Sequence, residues 1–457
     1  MSWLKTAEIA RMTGGSLTGA DVEVTGVCTD SRQITPGCLF VALSGPRFDG
    51  HAFASRAVAD GAAAVLAREP VDVDAPVIRV EDTRLALGRL AAAWRARMEE
   101  LVLIGLTGSN GKTTVKEMIA AILQQRGNVL ATPGNLNNDI GMPLTLLSLR
   151  PEHRFAVIEM GANHFGEIRY LARIANPDIG LVTNAGPAHL EGFGDLEGVA
   201  QAKGELFEEL RPDATAIINA DDRFEEYWRG CLHGQRLIRF GFGAEAEVRG
   251  EPRGAHLVVH WQGQQAEVRL AVPGRHNRTN ALAAAAAALA AGATLEEVRQ
   301  GLEAFRPVHG RLQPVSGVHG MRLIDDSYNA NPASLGAAIE VLAEQPGERW
   351  LVLGDMGELG AEARAMHSAA GEAARTHGIE RLFALGSLAE AAAEAFGEGA
   401  EVFESHEALA ARLAEAAGPG VTALVKGSRS MAMDRVVKAL AGPDERAASE
   451  GGHDHAA

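Results

Sequence analysis

Apolar residues along this chain recur in short blocks that alternate with amphipathic stretches. From Leu101, the apolar run LVLIGL is followed by a glycine-rich turn and then by a helical pattern over 115–126. The runs FAVIEMG, IGLVTNAG and ATAIINADD continue this alternation, with helical patterns over 166–175 and 195–210 between them. Strands that alternate with helices are typical of a parallel sheet with helices on both faces. The pattern therefore predicts an α/β protein.

Changes in this pattern divide the chain into domains, and a length of 457 residues agrees with about three. Short strand-like runs around a helical stretch over 51–61 indicate a small N-terminal α/β domain, and a helical pattern over 83–100 leads out of it. Residues 236–272 are interpreted as antiparallel strands, and strands alternate with helices again from about residue 313. We predict three α/β domains and a polar, disordered tail, at residues 1–82, 83–312, 313–442 and 443–457.

The segment TGSNGKTT, between the strand LVLIGL and the following helix, is the strongest local signal for function. It comprises Thr107, Gly108, Ser109, Asn110, Gly111, Lys112, Thr113 and Thr114. Glycines let backbone N–H groups approach phosphate oxygens, and the start of a helix attracts anions. Lys112 can then bridge the β- and γ-phosphates of ATP, and Thr113 can ligate Mg²⁺. The loop is a variant, because five residues rather than four separate Gly105 from Gly111. A glycine turn with a solvated lysine is the alternative.

Further polar side chains follow the neighbouring strands, where ligands of parallel sheets bind. Glu159 ends the run FAVIEMG, and its carboxylate suits Mg²⁺ or a metal-bound water, the alternative being an N-capping or structural glutamate. His189 lies in the loop after the next strand, and a lone histidine is more often structural than a ligand. Lys203 lies on the following helix and, taken alone, is interpreted as a surface lysine.

Three polar segments in the second half of the chain are also candidates for ligand binding. Asn277 and Asn280 lie one turn apart at the start of an Ala-rich helix, where Asn277 can contact an adenine edge, although helix capping is the simpler interpretation. Arg311, in HGRLQP, can clamp a phosphate. The segment DDSYNANP over 325–332 is rich in groups that bind ribose and phosphate, and it is also turn-like.

Composition and charge exclude several classes of function. The chain carries 43 Lys and Arg against 59 Asp and Glu, a net charge of −16, so nucleic acid is not an expected partner. Three cysteines are too few for a disulfide framework and match no zinc spacing. The N terminus has charges where a signal peptide needs an apolar run, and no apolar run is long enough to cross a bilayer. We expect a cytoplasmic protein without membrane insertion.

Taken together, the motifs resemble those of the Mur ligase family, the ATP-dependent amide ligases that build the peptide of peptidoglycan. The resemblance covers nearly the whole chain and rests on the order of TGSNGKTT, VIEMG, NAGPAHLEGFG, AKGELF, HNRTN, GRLQP and DDSYNANP. The stretches TDSRQITPGCLFVALSGPRFDGHAF, TPGNLNNDIGMPLTLL, LGDMGELG and KGSRSMAMD resemble the members that add D-alanyl-D-alanine. The DNPR signature of the members that add the third peptide residue does not occur in the sequence.

The resemblance implies a fold and a reaction. The fold comprises an N-terminal UDP-binding domain, a central P-loop ATPase domain with a mostly parallel sheet, and a C-terminal Rossmann-like domain that closes as a lid. The substrates are ATP, UDP-N-acetylmuramoyl-tripeptide and D-alanyl-D-alanine. The tripeptide carboxylate takes the γ-phosphoryl group of ATP, and the dipeptide amine then attacks the acyl phosphate. We expect a monomer.

The resemblance also implies roles for individual residues. Two Mg²⁺ ions are expected, the second bound by His189 and a carbamylated Lys203. Asn277 contacts the adenine and Asp326 the ribose. The catalytic residues are Lys112, Glu159, His189, Lys203 and Arg311. The metal ligands are Thr113, Glu159, His189 and Lys203. The substrate-binding residues are Ser31, Arg32, Gly45, Asp49, His51, Asn135, Asn137, Asn138, Tyr328, Asn329 and Asn331.

Three other functions compete with this interpretation. A folylpolyglutamate-type ligase shares the chemistry but lacks a separate N-terminal UDP-binding domain. A non-enzymatic nucleotide switch would use the same P-loop without a second substrate domain. A nucleic-acid-dependent ATPase is disfavoured by the net charge of −16 and by the absence of an evident basic cluster.

Overall fold

The structure, a computed structural model, describes residues 3–45, 48–187 and 190–442. The predictions for His189 and for the tail over 443–457 lie outside the described residues. No helix in the described ranges is both long enough and apolar enough to cross a bilayer.

The N-terminal part contains a five-stranded mixed sheet. Its strands, in sheet order, are Ser16–Thr18, Val77–Arg79, Ala64–Ala67, Leu39–Val41 and Val27–Cys28. Two small hairpin-like pairs accompany it, Leu4–Lys5 with Glu23–Val24 and Ser44–Gly45 with Phe48–Asp49. Its helices are Thr6–Thr13 and Ala54–Ala59, with a 3₁₀ turn at Gly50–Phe53. The helix predicted over 51–61 is therefore shorter than expected, because its first residues form the tighter turn.

The helix Thr83–Arg95 joins the N-terminal part to the rest of the molecule. It begins where the Asp82 carboxylate accepts hydrogen bonds from the backbone N–H groups of the first turn, and it ends five residues earlier than predicted. Leu87, Leu90 and Trp94 on this helix belong to the same hydrophobic core as Leu171 of the central part. The N-terminal sheet is thus anchored against the domain that carries the P-loop.

A nine-stranded sheet forms the centre of the protein. Its strands, in sheet order, are Asn128–Ala131, His153–Glu159, Val102–Thr107, Ile179–Val182, Thr215–Asn219, Arg236–Gly241, Val248–Arg253, His256–Trp261 and Gln264–Arg269. The first seven strands run parallel to one another, as predicted for the α/β pattern, and each of the last two pairs antiparallel with the strand before it.

One prediction for this sheet is wrong. The strand Arg236–Gly241 was expected to be antiparallel but pairs in parallel with both neighbours. One of those neighbours, Val248–Arg253, was not predicted, because a glycine, a proline and charged residues hide its strand character. Val248–Arg253 thus extends the parallel part of the sheet by one strand, and the antiparallel pairing begins only with His256–Trp261.

Helices cover both faces of the central sheet. They are Lys112–Leu123, Gly141–Leu147, Glu167–Ala175, Leu190–Phe193, Leu196–Glu208, Glu225–Gly230, Arg275–Ala290 and Leu295–Ala304. The alanines at 281–288 of Arg275–Ala290 are fully buried. Their small side chains let this helix lie close to the sheet and to Lys112–Leu123, which begins at the P-loop.

The C-terminal part is a second α/β layer structure. Its strands, in sheet order, are Gln313–Ser316, Arg322–Asp326, Val421–Lys426, Glu348–Gly354, Arg381–Leu385 and Ala400–Phe403, and only the first is antiparallel. Its helices are Pro332–Ala343, Ala363–Thr376, Ala389–Phe396, His406–Ala416 and Asp434–Leu440, with 3₁₀ turns at Val318–Gly320, Gly360–Glu362 and Arg429–Met431. Apolar side chains fill both faces of this sheet. The predicted α/β fold with a C-terminal open sheet is confirmed.

Candidate active site

A cleft of about 1340 Å³ lies between the central and C-terminal parts. The carboxyl ends of parallel strands from both sheets open into it, as expected for ligand sites in α/β folds. Most of the residues proposed from the sequence line this cleft. They are Ser109, Asn110, Gly111, Lys112, Thr113, Thr114, Asn135, Asn137, Asn138, Glu159, Asn277, Arg311, Asp326, Tyr328, Asn329 and Asn331.

The P-loop is held by contacts that leave no room for larger residues. Gly108 has φ +148°, and a Cβ there would lie 1.9 Å from the Thr183 hydroxyl oxygen. Gly111 has φ +80° directly before the helix Lys112–Leu123, and a Cβ there would lie 2.3 Å from Asn280 Oδ1. Only glycine satisfies both the backbone conformation and the packing at these positions.

The first turn of the helix Lys112–Leu123 faces the cleft as an anion site. No side chain among the described residues caps its N terminus. Uncapped backbone N–H groups and the helix dipole together favour a bound anion. Thr107 lies behind the loop, where its hydroxyl donates to the Met160 carbonyl at 2.8 Å.

Lys112 and Arg311 bring two cations to the start of this helix. Lys112 Nζ donates to the Gly108 carbonyl at 2.7 Å, and burial lowers its pKa, an effect that Glu159 opposes. Arg311, just before the strand Gln313–Ser316, donates from its Nη2 to the Thr113 hydroxyl at 3.0 Å. The Nε of Arg311 is buried without a hydrogen-bond partner among the described residues. Such an unused donor beside the phosphate loop fits a bound phosphoryl group.

Thr113, Glu159 and Asn137 form a polar group beside the loop. The Thr113 hydroxyl donates to Glu159 Oε2 at 2.9 Å, and Asn137 Nδ2 donates to Glu159 Oε1 at 2.7 Å. Glu159 therefore does not cap a helix, which was one part of the alternative that the sequence left open, the other being a structural role. A hydroxyl and a carboxylate side by side are oxygen donors of the kind that Mg²⁺ prefers.

Lys203 is buried, so its interpretation as a surface lysine is wrong. It lies on the helix Leu196–Glu208, and its Nζ lies 5.4 Å from the centre of the Phe193 ring. Burial, followed by the charge of Lys112, lowers its pKa to about 7. Lys203 Nζ forms no hydrogen bond and no ion pair with a described residue. An amine in this environment is uncharged for much of the time near neutral pH.

Asn277 does not cap the helix that contains it. It lies inside the helix Arg275–Ala290, whose N-cap position is Gly274, and its Nδ2 donates to the Pro273 carbonyl at 2.7 Å. Asn280 Nδ2 donates to Asn277 Oδ1 at 3.3 Å, so the two amides are linked in the wall of the cleft beside Gly111.

The C-terminal part contributes Asp326 and Asn331 to the cleft. Lys426 Nζ donates to Asp326 Oδ2 and to the Asn329 carbonyl, while burial raises the pKa of Asp326 and Lys426 opposes that rise. Asn331 Nδ2 donates to Asn110 Oδ1 of the P-loop at 2.8 Å. This contact joins the C-terminal part to the phosphate loop.

The residues proposed for the N-terminal domain lie elsewhere. Ser31 and the exposed Arg32 follow Asp30, whose carboxylate pairs with Arg32 at 2.6 Å and whose pKa falls to about 2 through that hydrogen bond. His51 Nδ1 hydrogen-bonds Asp49 Oδ1 at 2.6 Å, and its Nε2 accepts backbone N–H groups from Arg68 and Glu69. Gly45 pairs with Phe48 in a short hairpin. The structure does not bring these side chains to the P-loop cleft.

Several residues of the site were not selected from the sequence. Asn184 holds the P-loop, because its Oδ1 accepts from Asn110 N and its Nδ2 donates to Asn110 O, both at 3.0 Å. Thr183 adds a bond from its hydroxyl to the same Asn110 carbonyl at 2.8 Å. Lys426 positions Asp326. Asn184 ends the strand run IGLVTNAG, so its place at a strand end was the available signal.

Comparison with known proteins places these features in a family. Three family descriptions match consecutive parts of the chain: "Mur ligase family, catalytic domain" over 23–95, "Mur ligase middle domain" over 106–288, and "Mur ligase, glutamate ligase domain" over 310–429. The UDP-N-acetylmuramoyl-tripeptide--D-alanyl-D-alanine ligase of Escherichia coli (strain K12) is 48% identical over 442 residues, 95% of this chain and 97% of the relative.

Solved structures agree with this relationship. MurF from Acinetobacter baumannii matches with a TM-score of 0.90 and 36% identity, over 96% of this chain and 98% of that one. MurF ligase from Thermotoga maritima, solved in complex with ADP, matches with a TM-score of 0.82 and 27% identity, over 91% and 97% of the two chains. The resemblance inferred from the motifs is confirmed, and the chain belongs to the Mur ligase family.

Proposed function

We propose that this protein is an ATP-dependent ligase that joins D-alanyl-D-alanine to UDP-N-acetylmuramoyl-tripeptide. The observation that carries the proposal is the 48% identity to the E. coli ligase of this name along nearly the whole of both chains. The cleft supports it independently, since a phosphate loop, two cations and a second α/β domain meet there. A nucleotide switch would need no such second domain.

The proposed reaction has two steps. A terminal carboxylate oxygen of the tripeptide attacks the γ-phosphorus of ATP, which forms an acyl phosphate and releases ADP. The amine of D-alanyl-D-alanine then attacks the acyl carbon, and the tetrahedral intermediate expels phosphate and loses a proton to leave the amide. Phosphoryl transfer of this kind depends on charge neutralisation and positioning more than on a covalent nucleophile.

The residues at the loop supply that charge and positioning. Lys112 and Arg311 place positive charge at the transferring phosphoryl group, and the uncapped helix start binds the phosphate chain. Because Asn331 of the C-terminal domain bonds to Asn110 of the P-loop, that domain completes the site and excludes water from the acyl phosphate.

Magnesium fits the donors beside the loop. Thr113 and Glu159 would hold one Mg²⁺, which when bound neutralises charge on the phosphate oxygens. We propose that His189 and a carbamylated Lys203 hold a second ion. Burial supports the modification, because the uncharged amine that a pKa of about 7 provides is the form that attacks CO₂. The new N–C bond forms as Nζ loses a proton, and the carbamate offers anionic oxygens.

The remaining assignments follow the resemblance. We propose that Asn277 contacts the adenine and Asp326 the ribose. Residues 1–82 bind the uridine diphosphate, residues 83–312 bind ATP, and residues 313–442 close over it. The protein acts as a cytoplasmic monomer without nucleic-acid partners. The proposed substrate-binding residues are Ser31, Arg32, Gly45, Asp49, His51, Asn135, Asn137, Asn138, Tyr328, Asn329 and Asn331.

A matrix of phosphate-release assays tests the proposal. ATP is combined with UDP-muramoyl peptides of different lengths and with D-alanyl-D-alanine, D-alanine or no acceptor. We expect rapid phosphate release only with the tripeptide and the dipeptide together, and a UDP-linked pentapeptide as product by mass spectrometry. A rate of phosphate release that does not depend on either co-substrate would contradict the ligase function and favour a nucleotide switch.

A further inference from the structure

One arginine in the cleft forms no ion pair with any described residue. Among the described residues that line the cleft, five are Lys or Arg. Arg84 pairs with Asp139, and Lys426 pairs with Asp326. Lys112 and Arg311 lie at the phosphate loop, where the nucleotide supplies negative charge. Arg429 is the fifth, and no described acidic group lies within 4 Å of its guanidinium.

The backbone around Arg429 is held in place. Arg429 begins the 3₁₀ turn Arg429–Met431, just after the strand Val421–Lys426. The hydroxyl of Ser428 donates to the Asp355 carbonyl at 2.7 Å, and His406 Nε2 hydrogen-bonds the Met431 carbonyl at 2.7 Å. Both ends of the turn are therefore fixed, although the arginine itself is exposed.

The guanidinium of Arg429 is directed by Tyr328. Arg429 Nη1 donates to the Tyr328 hydroxyl at 2.8 Å, and the guanidinium carbon lies 5.1 Å from the ring centre. The guanidinium carbon of Arg311 lies 4.2 Å from the same ring centre. The remaining N–H groups of Arg429 have no described acceptor, so a planar anion such as a carboxylate can use them.

The two arginines lie close enough together for one acceptor molecule to reach from one to the other. Their guanidinium carbons can be no more than about 9 Å apart, because both lie close to the Tyr328 ring. An extended dipeptide spans roughly 7 Å. A dipeptide whose carboxylate rests on Arg429 can therefore place its amine near the phosphoryl group held by Arg311.

We propose that Arg429, held by Tyr328, binds the free carboxylate of the dipeptide acceptor. This inference rests on the proposed ligase function and adds to it the residue that recognises the second substrate. Arg429 is a specificity-determining residue, and its role requires a negative charge on the acceptor.

Removing that charge from the acceptor gives the most direct test. D-alanyl-D-alaninamide has nearly the shape of D-alanyl-D-alanine but no carboxylate. We expect kcat/KM of the wild-type protein to be at least about tenfold lower with the amide, since hydrogen bonds to charged groups are among the stronger ones. Equal kcat/KM for the two acceptors, in an active wild-type enzyme, overturns the inference.

Variants separate recognition from structure. Arg429→Ala should lower kcat/KM for the dipeptide at least about tenfold and remove the difference between acid and amide, with KM for ATP and for the UDP-linked peptide unchanged. Arg429→Lys should restore part of the difference. Arg435→Ala, which removes an exposed arginine paired with Glu407 nearby, is the matched control and should change nothing.

Two results distinguish failure of this inference from failure of the proposed function. If Arg429→Ala lowers kcat/KM for acid and amide by the same factor, Arg429 does not bind the carboxylate although the ligase function stands. If the wild-type protein turns over neither acceptor with the UDP-linked tripeptide, the ligase function is wrong and the inference falls with it.

Discussion

Substitution of Lys203 tests the proposed carbamate most sharply. Lys203→Arg keeps a positive charge but cannot form the carbamate under mild conditions, and Lys203→Ala removes the amine altogether. We expect both variants to lose most of their activity. A lysine that acted only as a cation would tolerate arginine, and a lysine without a role would tolerate either change.

The magnitude follows from the burial of the side chain. With a pKa of about 7, roughly three-quarters of the Lys203 amines are uncharged at pH 7.5, against about one in a thousand for a lysine of ordinary pKa. Burial therefore raises the fraction of uncharged amine, the form that reacts with CO₂, by more than two orders of magnitude. An ammonium 4 Å from a bound cation would instead be repelled, by ~4 kcal/mol per pair of unit charges at an effective dielectric constant of 20. This repulsion alone corresponds to a loss of about a thousandfold in the arginine variant.

Three measurements check the carbamate. Short carboxylic acids should restore activity to Lys203→Ala, because they supply the missing anionic oxygens in the space that the lysine vacates. Enzyme equilibrated with ¹³C-bicarbonate should show a carbamate carbon signal that is absent from Lys203→Arg. Lys116→Ala is the matched control, since Lys116 is also fully buried, but its Nζ bonds to the Thr132 carbonyl and pairs with Glu117. Acids should not restore activity to that variant.

The pH dependence of the free energy of unfolding tests the burial of Lys203 independently of activity. Because the pKa of Lys203 is lower in the folded state, the unfolded state binds more protons, and stability should rise with pH between about 7 and 10.5. Removal of CO₂ keeps the amine unmodified during this measurement. Lys203→Met should be the more stable protein below pH 7, by a few kcal/mol in order of magnitude, and should lose that advantage above pH 10.5. Full activity of Lys203→Arg, or wild-type activity without a carbamate signal, would refute the reasoning.

Three further substitutions test the P-loop and the N-terminal domain. Lys112→Ala should lower kcat by about 10²–10³ or more in a protein that circular dichroism shows to be folded, because a charge at the transferring phosphoryl group is lost; a folded variant within a few-fold of wild type would remove the P-loop assignment. Arg32→Ala should raise KM for the UDP-linked substrate about tenfold with KM for ATP unchanged, since Arg32 is exposed and lies away from the cleft, and an equal rise for ATP would argue against a separate UDP-binding domain. Gly108→Ala should destabilise the protein by about 1–3 kcal/mol and abolish nucleotide binding, because its Cβ would meet the Thr183 hydroxyl at 1.9 Å. Gly234→Ala is the control, because Gly234 has φ +104° with open space around it, so that substitution changes only the backbone strain. Equal losses of stability in the two variants would exclude the steric argument.

Much of the fold could be predicted because the relevant signals are local. An apolar run followed by a glycine turn and an amphipathic helix specifies a strand–loop–helix unit wherever it lies in the chain. The order of those units predicted a parallel central sheet and a second C-terminal sheet, and both are present. The prediction failed for Arg236–Gly241, whose pairing direction depends on the neighbouring strand Val248–Arg253. That neighbour was missed because its glycine, proline and charged residues are unusual in a strand.

The candidate site shows the same division. The sequence by itself determined which chemical groups the protein has: the glycines and Lys112 of the phosphate loop, the carboxylate of Glu159 at a strand end, and the motif order that identifies the family. It could not determine their surroundings. Arg311 reaches Thr113 across 198 positions of sequence, and Lys203 loses its solvent only because the helix that carries it packs against the sheet.

Burial and long-range contact are therefore what the tertiary structure decided. A pKa depends on the dielectric environment and on charges brought near by folding, and neither is encoded in the residues adjacent to Lys203. The pairing of Arg429 with Tyr328, 101 positions away, likewise exists only once the strand Val421–Lys426 lies beside Arg322–Asp326. Local sequence specifies elements and reactive groups, whereas packing sets their charge state, their partners and the distances between them.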